Sequence, residues 1–539
     1  MNMKKEISIL SLVGLICLVQ SCAASPTSDK LTFNPAKYQK QELKYEGKTI
    51  KVRAYEKIVY VANPVDVNYE IMNIYIPEEY FNGKSVNGYT AETAPIFFPN
   101  QVGGYMPATP ASTSMQQGMP PLNGRGAQDF GKGKPEGMPE GARPDGMGPR
   151  GAGQNGGAPR MMPPGMSKRP SVVLAALSQG YVVASAGARG RTTVAKDGTY
   201  TGKVPNALVD LKAAIRYLKY NDKAMPGDAN KIISDGTSAG GAMSALLGAT
   251  GNNSDYEPYL EKLGAAKATD NLFAVQAYCP ITNLDHADMA YEWQFNGVND
   301  YQASMMPPTG NNDNKSNTLT AAQIKVSGEL KAQFPDYVNS LNLKDSKGVA
   351  LTLDKDGNGS FKDWVKSYVI ASAQKALDSG TDLSAHTWLK IENKKVIDLD
   401  FDQYVRYMNR QKLPPAFDAF DLSTPENQEF GTEKIDKQHF TEYSQKNSTV
   451  GNSTIADQSL IKMLNPMYYI GQPNTTVSKY WRIRHGSKDK DTGLAIPVIL
   501  GTYLQNKGYV VDLALPWDRP HSGDYDLDEL FSWIDHLCK

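Results

Sequence analysis

Cysteine is scarce in this chain, with four in 539 residues. Cys17 and Cys22 lie in the N-terminal segment, so Cys279 and Cys538 can form at most one disulfide. Two separate buried thiols is the alternative. Histidine is scarce too, and six residues make the search for an imidazole base short. No charge sign is in excess. Lys+Arg and Asp+Glu are both 57, and zero formal charge gives no electrostatic reason to expect a nucleic acid partner. The apolar run at 7–19 is too short for an ordinary membrane span. The chain is 40% hydrophobic, which suits a soluble globular protein. It is also too long for one compact core, so a large domain with an insertion is expected.

The N-terminus reads as a processing segment. Lys4 and Lys5 precede the apolar run, which ends in Leu18-Val19-Gln20-Ser21-Cys22. This ending resembles a bacterial lipobox, in which a small residue precedes a cysteine whose thiol receives diacylglycerol. The expectation is a lipoprotein signal peptide over 1–22, a lipid on Cys22, a tether over 23–45 and export to the bacterial cell envelope. Any membrane association would come through that anchor alone. Plain secretion with cleavage near Ala24 is the other reading.

Residues 232–248 carry the most informative pattern. Apolar Ile232-Ile233 enters Gly236-Thr237-Ser238-Ala239-Gly240, and a small-residue helical stretch leaves it. A strand, a tight turn and a helix around Gly-x-Ser-x-Gly are what a nucleophile elbow requires. The turn raises the Ser238 hydroxyl above the sheet edge. The glycines keep Cβ atoms apart where strand and helix cross. The N–H groups heading the helix can hold a developing oxyanion, Ala239 first among them. With 47 glycines, a plain glycine turn would also match. The flanking strand and helix favour the elbow.

The rest of the chain gives a sheet on which such an elbow can sit. Residues 49–77 alternate as antiparallel strands. The apolar run at 94–100 suits a buried central strand and opens into Gly103-Gly104. That is where a second oxyanion donor near Gly103 is expected, although an ordinary turn looks the same. Helix and strand patterns then alternate through residues 171–280, which predicts a doubly wound, mostly parallel sheet. The domains expected are a core over 46–285, a mainly helical lid over 286–465 and the rest of the core over 466–539. Residues 106–166 interrupt the first part with a Met/Gly/Pro-rich stretch expected to be disordered.

A serine nucleophile needs a base and an acid, in the chain order Ser, acid, His. His286, His386 and His439 fall in the lid, His485 precedes any candidate acid, and His536 sits in the terminal helix. His521 alone follows a closing strand on a loop. Asp489, three residues past Gly486 at a strand end, suits the acid, with Asp491 as competitor. In the lid, Asp354, Asp356 and Asn358 alternate as in the first half of an EF-hand loop, so a structural calcium is expected there. Val365 stands where the loop's closing Glu belongs. An Asn-Gly turn with Ser360 capping the next helix is the alternative.

Four stretches resemble the bacterial tannase family, α/β hydrolases that cleave gallate esters. They are Pro99-Asn100-Gln101-Val102-Gly103-Gly104-Tyr105, Gly236-Thr237-Ser238-Ala239-Gly240-Gly241, Trp481-Arg482-Ile483-Arg484-His485-Gly486 with Asp489 and Asp491, and His521-Ser522-Gly523-Asp524-Tyr525-Asp526. The resemblance covers most of residues 45–539 apart from the Met/Gly/Pro-rich stretch, which departs from it. The chain lacks the paired cysteines of the fungal tannase and feruloyl esterase branch, so fungal substrate scope is not carried over. The resemblance implies that a Lys, a Glu and an Asp read the three phenolic hydroxyls of gallate, and these match Lys412, Glu426 and Asp491. It implies a galloyl esterase that requires no organic cofactor. The rivals are another secreted carboxylic-ester hydrolase, on hydroxycinnamate or acetylated sugars, and a surface lipoprotein that binds polyphenol or glycan without catalysis.

Overall fold

The computed structural model describes residues 30–114, 171–301 and 317–539. The signal peptide, Cys22 and residues 115–166 of the Met/Gly/Pro-rich stretch lie outside the described residues. Among the described residues, no helix is long and apolar enough to cross a membrane.

One nine-stranded sheet organises the chain. Its strands are β1 (Gln39–Tyr45), β2 (Lys48–Val59), β3 (Ile71–Pro77), β4 (Pro95–Pro99), β5 (Val182–Ala186), β6 (Asp228–Asp235), β7 (Ala274–Tyr278), β8 (Tyr480–Arg484) and β9 (Val510–Ala514). In space the order is β1-β2-β3-β5-β4-β6-β7-β8-β9. The first three strands pair antiparallel and β3 joins β5 antiparallel. From β5 to β9 every pairing is parallel. This is the α/β-hydrolase fold, with helices on both faces of a mostly parallel sheet. Every residue of β4, β5 and β7 is buried, as a strand covered on both faces requires. The chain order turns back at β4, which lies between β5 and β6. Ligands of open α/β sheets bind beyond the carboxyl ends of strands at such a point.

The expected tether over 23–45 is folded in its described part. Residues 39–45 form β1, while Leu31 and Phe33 are buried. Asn221 anchors them, because its Oδ1 accepts from Phe33 N at 2.8 Å and its Nδ2 donates to Leu31 O at 2.9 Å. Phe33 also packs on Tyr55 with ring centroids 4.7 Å apart. Cys279 and Cys538 are both free thiols, the first buried and the second half-buried on the terminal helix Leu527–Cys538.

The segment between β7 and β8 is mainly helical, with its longest helix at Ser360–Asp378 and a small hairpin of Leu389–Glu392 and Lys395–Leu399. The core beneath it contains a buried ion cluster. Lys212 on helix Asn206–Tyr220 meets Asp270 at 2.8 Å, and both are fully buried. Arg216 Nε meets the other Asp270 oxygen at 2.8 Å, and Asn252 N donates to the first at 2.7 Å. Removing the anion strands a buried ammonium, and breaking such a pair costs about 3–5 kcal/mol. Asp270→Ala is therefore expected to lower the urea midpoint sharply with an unchanged slope, whereas Asp354→Ala, which loses only exposed turn hydrogen bonds, should lower it far less.

Candidate active site

Ser238 follows β6 and heads helix Ala239–Ala249 with φ 63° and ψ −124°. A non-glycine residue adopts that region only where the surroundings impose it. Ser238 N donates to Tyr278 O at 3.0 Å and Ser238 O accepts from Ala242 N at 2.9 Å, so both its peptide groups are held. Asn100, just past β4, completes the clamp. Its Nδ2 lies 2.9 Å from Asp235 O, 3.0 Å from Gly240 O and 3.1 Å from Ser244 Oγ, and its Oδ1 accepts from Val102 N at 3.2 Å. A Cβ on Gly240 would stand 2.7 Å from Val102 O and Asn100 Oδ1. Only glycine permits this approach. Ala239 is the first helical residue, and its N–H has no intrahelical acceptor. In the loop after β4, where Gly103 was expected to serve, Gly104 is the residue that lines the same cavity as Ser238.

The acid and the imidazole come from the loops after β8 and β9. His521 Nδ1 is 2.7 Å from Asp489 Oδ2, and Asp489 Oδ1 accepts from Asp491 N at 2.9 Å. Asp489 is fully buried. Burial alone would raise its pKa, but charge attraction to His521 and His485 and the bond from His521 hold it well below the usual carboxylate range. Burial alone would likewise lower the His521 pKa, yet the Asp489 carboxylate raises it well above the ordinary value. His521 Nε2 is buried and has no hydrogen-bond partner among the described residues. The His521 loop crosses the elbow at Gly523, where a Cβ would lie 1.8 Å from Thr237 Oγ1. Asp526 fastens that loop to the sheet by accepting from Tyr278 Oη and Arg482 Nη2, each at 2.5 Å.

A cavity of about 750 Å³ is lined by Ser238, Gly104, Lys412, Glu426 and Asp491 together. Lys412 Nζ is 3.3 Å from Asp491 Oδ1 and 4.0 Å from the centre of the Phe417 ring. Glu426 is buried at the start of helix Pro425–Glu429, and burial raises its pKa against the pull of Lys412. Leu413, Pro414, Pro415 and Phe420 supply apolar wall. The arrangement offers a cation and two carboxyl groups to a polar aromatic ring and a serine hydroxyl to its substituent.

The loop in which a calcium is expected has a defined hydrogen-bond pattern. Asp354 Oδ1 accepts backbone N–H groups of Asp356 and Asn358, each at 2.9 Å. Asn358 Oδ1 accepts from Lys362 Nζ at 3.1 Å. The loop closes as an Asx turn in which Asp354 Oδ1 and Asn358 Oδ1 are already bonded. Ser360 is not the helix cap. Its Oγ accepts from Thr352 N and donates to Ala350 O, and Gly359 stands at the cap position.

Three neighbours of the site escaped the sequence reading. Gln411 also lines the cavity, and its Nε2 donates to Asp491 Oδ1 at 3.3 Å. His485, set aside as a base by chain order, is buried with Nε2 3.8 Å from Asp489 Oδ2. Cys279, just past β7, has φ 45° and its Sγ donates to Ser522 O at 3.3 Å. The role of Asn100 also emerges only from the fold. Its carboxamide is buried, and losing such a network strands partners at about 1–3 kcal/mol each. Asn100→Ala is expected to cut kcat about tenfold or more while far-ultraviolet circular dichroism stays that of the parent. An unchanged kcat would remove the clamp from the account.

Comparison with known proteins agrees with this geometry. The family described as BD-FAE matches residues 163–325. No curated protein matches the chain. Among solved structures, tannin acyl hydrolase from Lactobacillus plantarum is 44% identical over 95% of this chain and 100% of its own, with a TM-score of 0.81. Tannase from Fusobacterium nucleatum is 47% identical over 94% of this chain and 99% of its own, with a TM-score of 0.81. A tannin acyl hydrolase solved in complex with ethyl gallate is 44% identical over 95% and 100%, with a TM-score of 0.80. Identity at this level along nearly the whole chain settles the family, and this chain belongs to the bacterial tannases.

Proposed function

We propose that this chain is a carboxylic-ester hydrolase that cleaves galloyl esters through a serine acyl-enzyme. One observation carries the reading: Ser238 and the trio Lys412, Glu426 and Asp491 line a single cavity. A relative in complex with ethyl gallate and another in complex with 3,4-dihydroxybenzoate support it.

His521, oriented through Nδ1 by Asp489, takes the Ser238 proton on Nε2. Ser238 Oγ attacks the galloyl carbonyl. The Ala239 N–H, with one from the loop at Gly103 and Gly104, holds the oxyanion. His521 returns the proton to the leaving alcohol, and water cleaves the acyl-enzyme by the same sequence. Lys412, Glu426 and Asp491 pair with the phenolic hydroxyls. A substrate lacking those hydroxyls leaves buried polar groups unpaired, so the trio selects as well as binds. No organic cofactor enters these steps.

The test is hydrolysis of methyl gallate beside methyl ferulate and a small acetate ester. The parent is expected to prefer gallate strongly, and Ser238→Ala to lose about six orders of magnitude in kcat. Ferulate or acetate preference would keep the serine chemistry and remove the trio as phenol readers. Failure of a serine-reactive probe to label the parent would favour a binding protein. Lys412→Met is expected to raise KM for methyl gallate roughly ten- to hundredfold with a smaller change for methyl benzoate. An equal loss on both esters would assign Lys412 to packing instead.

We also infer export as a cell-envelope lipoprotein, with the sequence Leu18-Val19-Gln20-Ser21-Cys22 as its support. Cys22→Ser is expected to shift the protein from the membrane fraction to the soluble one. Retention in the membrane would exclude a Cys22 anchor.

A further inference from the structure

The mechanism above leaves two groups beside the acid and base without a task. Cys279 is fully buried, and one ligand atom each from Cys279, Asp489 and His521 lie within 4.8 Å of one another. No other group of three His, Cys, Asp or Glu residues meets that criterion among the described residues. A φ of 45° is a region that cysteine rarely adopts, and it is held here by Cys279 N donating to Arg484 O at 2.7 Å.

His485 supplies an independent observation. It is fully buried, and among the described residues neither ring nitrogen has a hydrogen-bond partner of ordinary geometry. Its Nε2 faces Asp489 Oδ2 at 3.8 Å. A buried imidazole with unpaired nitrogens calls for an explanation, and a ligand supplies one.

We propose that Cys279, Asp489 and His521, with His485 beside them, form an inhibitory site for a thiophilic divalent cation of the zinc class. Thiolate, imidazole and carboxylate are the ligands zinc takes, in tetrahedral sets of four. Bonds of about 2.0–2.3 Å at tetrahedral angles put ligand atoms roughly 3.3–3.8 Å apart. His485 Nε2, 3.8 Å from the shared Asp489 oxygen, lies outside the group of atoms within 4.8 Å of one another, so it flanks the site and the fourth position falls to solvent. His521 Nδ1, at 2.7 Å from it, needs to withdraw by less than about 1 Å. Binding is a proton exchange without oxidation or reduction. The Cys279 thiol releases a proton to solvent, the His521 proton moves from Nδ1 to Nε2, and sulfur and Nδ1 then donate their electron pairs to the metal. His521 loses its bond to Asp489 and is pinned by the metal, so it no longer accepts the Ser238 proton. The effect on rate rests on the proposed triad. The binding does not.

The experiment uses the full chain with zinc chloride and, for an optical signal, cobalt chloride. Zinc is expected to inhibit methyl gallate hydrolysis, with one equivalent bound by equilibrium dialysis and activity restored by a chelator. Cobalt is expected to give a thiolate-to-metal charge-transfer band. Cys279→Ser keeps a group able to bond Ser522 O. It should abolish the band and raise the inhibitory zinc concentration at least about tenfold, read as the ratio to its own metal-free rate. Cys538→Ala should change neither. A Cys279→Ser variant with the parental zinc response would overturn the proposal, as would a band that follows Cys538, zinc bound with turnover unimpaired, or no inhibition and no band in the parent. Should Cys279→Ser not fold, the parental band and the Cys538→Ala control decide alone. A chain with the band but no activity on gallate would retain the metal ligands and remove the esterase reading.

Discussion

The site depends on a backbone conformation that serine does not adopt unaided. At φ 63° Ser238 sits where strain is of order 1–3 kcal/mol, and it stays there because neighbours over-determine it. The restraint comes from three consecutive parallel strands. β4 delivers the Asn100 carboxamide, β6 delivers the elbow, and the Tyr278 carbonyl at the end of β7 takes the Ser238 N–H. Parallel register places all three strand ends at one level, so a single sheet edge supplies Ser238, its clamp and the carbonyl that takes its N–H. β8 and β9 extend the same edge to the acid and the imidazole. The Ser, acid, His chain order is a consequence of that geometry.

This dependence explains which features could be read from the chain. β4 and β7 are short and largely apolar, and in β6 the buried Ile232-Ile233 pair runs into a glycine turn. Parallel strands buried on both faces leave that signature. His521 and Asp489 stood out because the fold restricts where a base and an acid can fall, and only six histidines had to be sorted. The same elimination obscured His485. Asking only whether it could be the base discarded it before its distance to Asp489 was a question. Chain order carries no information about a contact between two loops.

Two segments show what spacing leaves open. Asp354, Asp356 and Asn358 satisfy the spacing of a calcium loop, and the same residues make an Asx turn in which Lys362 bonds Asn358. Spacing cannot say whether a carboxylate faces a metal or its own backbone. Residues 30–45 read as a tether because Leu31 and Phe33 are isolated apolar residues in a polar run. Their burial comes from the end of helix Asn206–Tyr220, where Asn221 bonds the backbone on both sides of Thr32. A strand that pairs by backbone alone at a sheet edge, as β1 does, needs little hydrophobic pattern.

The residues proposed to read the phenol pose a harder problem, because precision is demanded of a loop. Lys412 lies in irregular chain between helices Phe401–Met408 and Pro425–Glu429. Helix Leu284–Phe295, which follows β7, holds that chain at several points. Tyr291 Oη accepts the N–H groups of Gln411 and Lys412 at 3.2 and 3.1 Å. Asp288 accepts those of Phe417 and Asp418 at 2.7 and 3.1 Å. Glu292 pairs with buried Arg410, whose Nε in turn donates to Lys412 O at 2.8 Å. The strand end that takes the Ser238 N–H thus continues into the helix that grips the reader segment. A ligand in the cavity meets two walls built from one stretch of chain, and the separation between serine and phenol readers is set by a helix rather than by a loop. Rigidity of that kind is what discrimination by unpaired polar groups requires, because a loop free to relax would supply the missing partners itself.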